Sequence, residues 1–442
     1  MESSSSICHV VAVPYPGRGH VNPMMNLCKL LCSKIPNILI TFVVTEEWLG
    51  FIFFDKKPFN VRFRTIPNVI PSELVRANDF PAFFAAVFTK MEAPFEDILD
   101  RLEVELPVTA IIADTYVPWT LLVGQRRNIP VASLWTMSAS VLSFFTILTS
   151  SSKTTISLLI YQFDLYSSSF LCILEKGNEL VDYIPGLTPI PQYLLFTSVY
   201  ELESHVIDAL NERLPFPVYA IGPSVPYLDL KDHSSTTTNC HDYLQWLDLQ
   251  PKGSVLYVSM GSFLPVSAAK MDEIVAGVQD SGVRYLWVSR GDSSLFKDGC
   301  GDGGLLIPCC DQLRVLCHSS VGGFWTHCGW NSTLEAAYAG VPTLAFPLFM
   351  DQPPNSKQMV EDWKIGWRVK KNKVGEGEDL VRREEIAELV RKFMNYENNE
   401  QREMRKGAAI LGETCRRAIA KRGSSDINID AFIKDISERH TR

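Results

Sequence analysis

A chain of 442 residues exceeds what one ordinary hydrophobic core fills, so two domains are expected. Hydrophobic residues make up 46% and charged residues 21%, which excludes a disordered chain, and the net charge of −8 argues against a nucleic-acid partner. Eleven cysteines scattered over this length do not form a secreted disulfide framework. No basic segment precedes the first apolar run, so no signal peptide is expected and the predicted location is cytoplasmic. The most apolar later stretch, Val141 to Phe163, is broken by Thr149-Ser-Ser-Ser-Lys153 and predicts no membrane span.

In chain order, Val10-Val-Ala-Val13 has the pattern of a buried strand, and Pro14 to Pro23 is punctuated by Pro and Gly. Met24 to Ser33 has helical spacing, and Ile38 to Val44 is a second β-rich run. Strand, glycine-bearing loop, helix and strand open a parallel α/β sheet. Further strands are predicted at Ala110 to Ala113, Pro130 to Ser133, Tyr193 to Thr197 and Val218 to Ile221. Ser224 to Asn239 is rich in Ser, Thr and Asp and has no periodicity, as a linker would. A second α/β series follows, with strands at Ser254 to Met260, Tyr285 to Val288, Val321 to Thr326 and Val341 to Phe346, and a helix at Ser267 to Ser281. Charged, helical sequence fills Arg382 to Ala420, and a last helix runs from about Asp426 to Ser437. The predicted organisation is an N-terminal α/β domain 1–223, a linker 224–240, a C-terminal α/β domain 241–425 and a helical tail 426–442. Two Rossmann-like halves facing across a ligand cleft are the expected architecture.

Chemistry concentrates between Cys309 and Gln352. His327-Cys-Gly-Trp-Asn-Ser332 follows an apolar strand and opens a helix bearing Glu335. A glycine turn feeding a helix N-terminus presents backbone N–H groups and a positive dipole end, which suit a pyrophosphate. Ser332 can add a hydroxyl donor and His327 a ring N–H, while Glu335 can accept from ribose hydroxyls. Asp351 and Gln352, beyond the next strand, offer acceptors and an amide for sugar hydroxyls. Simple helix capping would not account for the accompanying positions. A zinc reading of Cys309, Cys310, Cys317, His318, His327 and Cys328 fails because their spacing matches no paired pattern, so no metal is expected.

In the first strand–helix loop, Gly17-Arg-Gly-His20 places an imidazole beyond the carboxyl end of a strand. Its near-neutral pKa makes His the natural base for an acceptor hydroxyl. Such a base benefits from a carboxylate behind it, and Asp114, ending a strand, is the best-placed candidate.

The spaced set Gln312, His318, Gly322-Gly323, His327-Cys-Gly-Trp-Asn-Ser332, Glu335, Gly340-Val-Pro342, Pro347 and Asp351-Gln352 resembles the donor signature of the plant UDP-dependent glycosyltransferases of specialised metabolism. The resemblance covers nearly the whole chain and points to the group called family 87. It implies a GT-B fold, a UDP-sugar co-substrate, a small hydroxylated acceptor and no further cofactor. It implies that Gln312 and Glu335 hold the ribose, and that His327, Asn331, Ser332 and Ser262 meet the phosphates. Trp330, Asp351 and Gln352 would meet the sugar, and the backbone of Cys310 the uracil. Gln352 leans towards glucose in this family. His20 would be the base and Asp114 its orienter in one inverting displacement, with plant phenolics such as flavonols as first acceptors to try. A monomer is expected.

Two departures stand out. Cys309 occupies the position where the family carries a Trp stacked on uracil, which predicts weaker donor binding. Tyr183-Ile-Pro-Gly-Leu187 runs almost directly into Tyr193, where relatives carry further residues beside the acceptor pocket, and Thr149 to Leu174 is unlike the family. These departures leave a second expectation open: a catalytically impaired UDP-sugar-binding relative. A dinucleotide oxidoreductase is disfavoured, because Gly17-Arg-Gly19 is followed by His-Val-Asn rather than by the dinucleotide fingerprint.

Overall fold

The computed structural model describes residues 7–52, 57–76, 79–150, 190–231, 242–261, 267–289, 303–348, 350–369 and 382–438. Ser262 and all but the ends of the unusual 149–192 stretch lie outside the described residues. The chain forms two compact units. Among the described residues, the first runs to Val225 and resumes at Arg417, and the second spans Pro226–Arg416.

In the first unit, strands β1 (Cys8–Val13), β2 (Ile38–Thr45), β3 (Val61–Ile66), β4 (Ala110–Asp114), β5 (Val131–Trp135), β6 (Tyr193–Phe196) and β7 (Val218–Ala220) form one sheet in the order β3-β2-β1-β4-β5-β6-β7. Every pairing is parallel. Alternate side chains enter opposite cores. Val10, Ala12 and Ile112 join one cluster, while Val11, Val13 and Ile111 join the other. Burial on both faces explains why these strands are continuous apolar runs rather than alternating ones.

The second unit repeats the plan. Strands β8 (Val255–Ser259), β9 (Arg284–Val288), β10 (Gly304–Ile307), β11 (Val321–Thr326), β12 (Thr343–Ala345) and β13 (Gly366–Arg368) form a parallel sheet in the order β10-β9-β8-β11-β12-β13. Both sheets therefore have the doubly wound order, reversing direction between β1 and β4 and between β8 and β11.

Some local expectations shift. The first helix spans Arg18–Lys34, so it starts inside the stretch expected to be a loop and carries Pro23 within it. Pro23 removes one helical N–H, a loss offset here by the burial of Met24, Met25, Leu27, Cys28 and Leu31. The charged stretch from Arg382 divides into helices Arg383–Met394 and Asn399–Ile419. The last helix, Ser424–Glu438, packs on the first unit. There Phe432 meets Tyr193 and Tyr219 at ring distances of 5.7 and 5.9 Å, and Lys34 pairs with Asp426 and Asp430. Among the described residues, no helix is long and apolar enough to cross a membrane.

Candidate active site

The strand order brings three loops of the first unit together at the carboxyl edge of β1, β4 and β5, where ligands of open α/β sheets bind. His20 lies in the first turn of the helix Arg18–Lys34, not in the loop before it, and its N–H donates to the carbonyl of Gly17 (2.9 Å). Asp114 ends β4 and its carboxylate is buried. His20 Nδ1 stands 2.8 Å from Asp114 Oδ2, while Asp114 Oδ1 accepts from the Tyr116 N–H (2.9 Å). An ionised carboxylate only accepts, so the proton between them belongs on Nδ1 and the lone pair on Nε2. Thr136 Oγ1, one residue past β5, lies 3.0 Å from the same Nδ1. The ring is flanked by Tyr15 and Tyr116 at centroid distances of 4.9 and 5.7 Å. His20 and Asp114 were expected from the sequence. Thr136 was not, and its one signal is its place three residues past the strand predicted at Pro130 to Ser133.

Beyond β3, Ser72 to Arg76 return to the same edge. Glu47 accepts from the Glu73 N–H (2.9 Å) and from the Ser72 hydroxyl, and so holds the short turn Glu73–Val75. Glu73 and Arg76 form an ion pair of 3.1 Å with both side chains largely buried. Burial pushes the Glu73 carboxyl up to about 7, against the lowering effect of Arg76.

In the second unit, the helix Trp330–Ala339 begins at Gly329 with no side-chain cap and no acidic residue in its first turn. The first turn therefore brings no acidic side chain of its own to the positive end of the helix dipole. Gln312 Nε2 donates to Ser332 Oγ (2.9 Å) and to Glu335 Oε2, and Tyr257 Oη donates to Gln312 Oε1 (3.1 Å). Three expected donor-site residues are thus one hydrogen-bonded group, with Tyr257 as an unforeseen support. Burial pushes the Glu335 carboxyl up to about 7, and the Gln312 amide offsets only part of this. Cys310 turns its sulfur inward, 3.3 Å from Tyr257 Oη, whereas Cys309 is exposed.

His327 sits between two glycines: a Cβ on Gly261 would lie 2.7 Å, and one on Gly329 2.5 Å, from His327 Nε2. Only glycine at both positions lets the loops after β8 and β11 close on this imidazole. The Trp330 indole is buried with its ring centroid 6.3 Å from that of Trp363. After β12, Asn355 Nδ2 donates to Asp351 Oδ2 (2.8 Å) and to the Cys328 carbonyl (3.0 Å). Gln352 Oε1 accepts from the Leu348 N–H (2.8 Å). Asp351 is therefore tied through Asn355 to the loop after β11 that leads into the helix, while Gln352 is bonded within its own loop and Ser262 is not described.

A protein-family model described as UDP-glucoronosyl and UDP-glucosyl transferase matches residues 223–379. The chain is 50% identical to UDP-glycosyltransferase 87A2 of Arabidopsis thaliana, covering 97% of each chain. It belongs to the plant UDP-glycosyltransferases of family 87. UDP-glycosyltransferase 87A1 of the same plant is 49% identical over 96% of this chain and 100% of its own. Such glycosyltransferases move a sugar from a UDP-sugar co-substrate to a small acceptor, which is the class of reaction assigned here. The alignment to 87A2 runs over 460 positions, longer than the chain itself, so that relative carries residues with no counterpart in this glycosyltransferase. Among solved structures, Os79 of O. sativa in complex with UDP matches at a TM-score of 0.81 and 25% identity, over 97% of this chain and 100% of its own. Os79 with U2F and trichothecene matches at 0.82 and 26%, with the same coverage.

Proposed function

We propose that this glycosyltransferase transfers glucose from UDP-glucose to a hydroxyl of a small phenolic acceptor, with inversion at the anomeric carbon. The carrying observation is the His20–Asp114 contact of 2.8 Å, with the carboxylate buried and bonded a second time by backbone. In this reading His20 Nε2 takes the acceptor proton as the acceptor oxygen bonds to the anomeric carbon and the bond to UDP breaks. Asp114 and Thr136 hold the ring and its tautomer, and Asp114 stabilises the imidazolium that forms.

The donor's pyrophosphate lies at the start of the helix Trp330–Ala339, with His327, Asn331 and Ser332 beside it and Ser262 as a further contact. The helix dipole and N–H groups stabilise the charge that UDP gains on leaving. Gln312 and Glu335 hold the ribose, the Cys310 backbone faces the uracil, and Trp330, Asp351 and Gln352 meet the sugar. Glucose rests on Gln352, and the cytoplasm remains the proposed location.

The test is UDP release over a panel of phenolic acceptors with UDP-glucose, UDP-galactose and UDP-glucuronate. A preference for galactose or glucuronate overturns the glucose assignment. Stabilisation by UDP with no release from any acceptor overturns the catalytic reading.

A further inference from the structure

The group of Gln312, Ser332 and Glu335 is joined to a residue that the mechanism leaves unused. Tyr257 stands in the middle of β8, buried, with its ring stacked on that of Phe324 at a centroid distance of 5.0 Å and an interplanar angle of 23°. A ring held on a strand and against a second aromatic cannot swing its hydroxyl away. That hydroxyl has three polar neighbours. Cys310 Sγ lies 3.3 Å away and Gln312 Oε1 3.1 Å away, and Ser259, two residues along the strand on the same face, is the third. The thiol and the Ser259 hydroxyl can each donate, whereas the amide oxygen only accepts. The single phenolic proton therefore goes to Gln312 Oε1.

The consequence falls on the amide. With Oε1 held by Tyr257, Nε2 faces Ser332 Oγ at 2.9 Å and Glu335 Oε2, and both of its hydrogens are used. An ionised Glu335 fits this arrangement, because a carboxylate only accepts. Turned over, the amide would aim its oxygen at Glu335, and the two could meet only with the carboxyl protonated. A neutral carboxyl is the weaker acceptor for a ligand's hydroxyl, since hydrogen bonds to charged groups are roughly twice as strong. Burial already raises Glu335 to about 7, and Asp311, the other charged group acting on it, favours the protonated form as well. What holds the amide therefore decides which form of the carboxyl a ligand meets.

We propose that Tyr257 is a positioning residue for donor selection: by fixing the Gln312 amide it keeps Glu335 a charged acceptor, and so makes the second unit prefer ribonucleotide over deoxyribonucleotide donors. The inference rests on the proposed placing of the ribose at Gln312 and Glu335. Tyr257 acts through the amide and not on the donor itself.

The experiment measures calorimetric binding of UDP and of 2′-deoxy-UDP to the unaltered protein, Tyr257→Phe, Gln312→Leu and the double variant. The unaltered protein should prefer UDP by about tenfold or more, the range of a hydrogen bond to a charged group. Tyr257→Phe keeps the stacked ring, and should cut that preference about threefold or more while moving the strengthening of UDP binding to higher pH. In the Gln312→Leu background the same change should leave the preference where it is, because Tyr257 acts only through the amide. That pair also serves if Tyr257→Phe alone fails to fold, since replacing both partners leaves neither buried and unpaired. Both nucleotides weakened alike by Tyr257→Phe, with the preference unmoved, would make the residue a structural support and overturn the proposal. A further fall in the double variant does the same. In either case the unaltered protein's preference for UDP leaves the ribose placement standing. No such preference in the unaltered protein overturns the ribose placement, and the proposal with it.

Discussion

The two units share one strand order but hold their buried carboxyl groups differently. In the first, Asp114 meets an imidazole and a backbone N–H, with Thr136 on the same ring nitrogen. In the second, Glu335 meets the neutral amide of Gln312, and burial pushes it up to about 7. A carboxylate facing a proton-bearing ring is arranged to steady charge that appears during reaction. A carboxyl with a neutral partner is arranged to await a ligand's hydroxyls. In the proposed reading the same fold thus separates a site for proton transfer from one for binding.

The strongest way to break this contrast is His20→Ala. Turnover should fall by about 10²- to 10⁴-fold, the usual worth of a general base, while calorimetry shows UDP binding nearly intact. Equal loss of both would give His20 a structural role. Asp114→Asn keeps the shape but presents an amide to Nδ1, and kcat should fall on the order of 10²-fold with acceptor KM little changed. Unaltered kcat removes Asp114 from the mechanism.

Glu335 sharpens the other side. Its carboxyl is raised in the folded protein, so its contribution to stability is full below the ordinary carboxylate range and is lost as pH rises through about 7. Ribose hydroxyls donate to the ionised form, so donor binding should follow ionisation. Between pH 6 and pH 8 the Kd for UDP-glucose should fall about tenfold, and Glu335→Gln should flatten the curve. A pH-independent affinity in the unaltered protein would place the ribose elsewhere.

The smallest effect concerns Cys309, an exposed residue at the position where the resemblance expects an indole stacked on uracil. Cys309→Trp should tighten UDP and UDP-glucose equally, by roughly 0.5–1.5 kcal/mol or about 2- to 12-fold, and leave kcat nearly constant. A Trp variant that folds but binds UDP no better shows that this residue does not lie over the base.

Legibility followed the same division. The donor residues were readable because Gln312, His327, Ser332 and Glu335 fall within one short stretch, and a glycine turn before a helix announces its chemistry. The first-unit pair needed a guess across 94 residues, and Thr136 escaped it altogether. Nothing local distinguishes a Thr after a strand from any surface residue. Strand β3 was missed because Val61-Arg-Phe-Arg-Thr-Ile66 carries charges, and β13 because three residues leave no periodicity. Conversely, the buried runs at β1, β2, β4, β8 and β11 could be read directly, since strands covered on both faces must be apolar throughout.

Sequence alone determined the doubly wound class and marked out the segment proposed to bind the donor, because backbone propensity, apolar runs and a long spaced signature are local properties. Which loops meet at one sheet edge was decided by tertiary structure. The reversal of strand order between β1 and β4 carries residues distant along the chain to within hydrogen-bond reach. Tertiary structure alone also returned the last helix to the first unit, where Phe432 fills a space between Tyr193 and Tyr219. An amphipathic helix specifies that it must bury a face, but the partner that buries it is chosen only when the whole core packs.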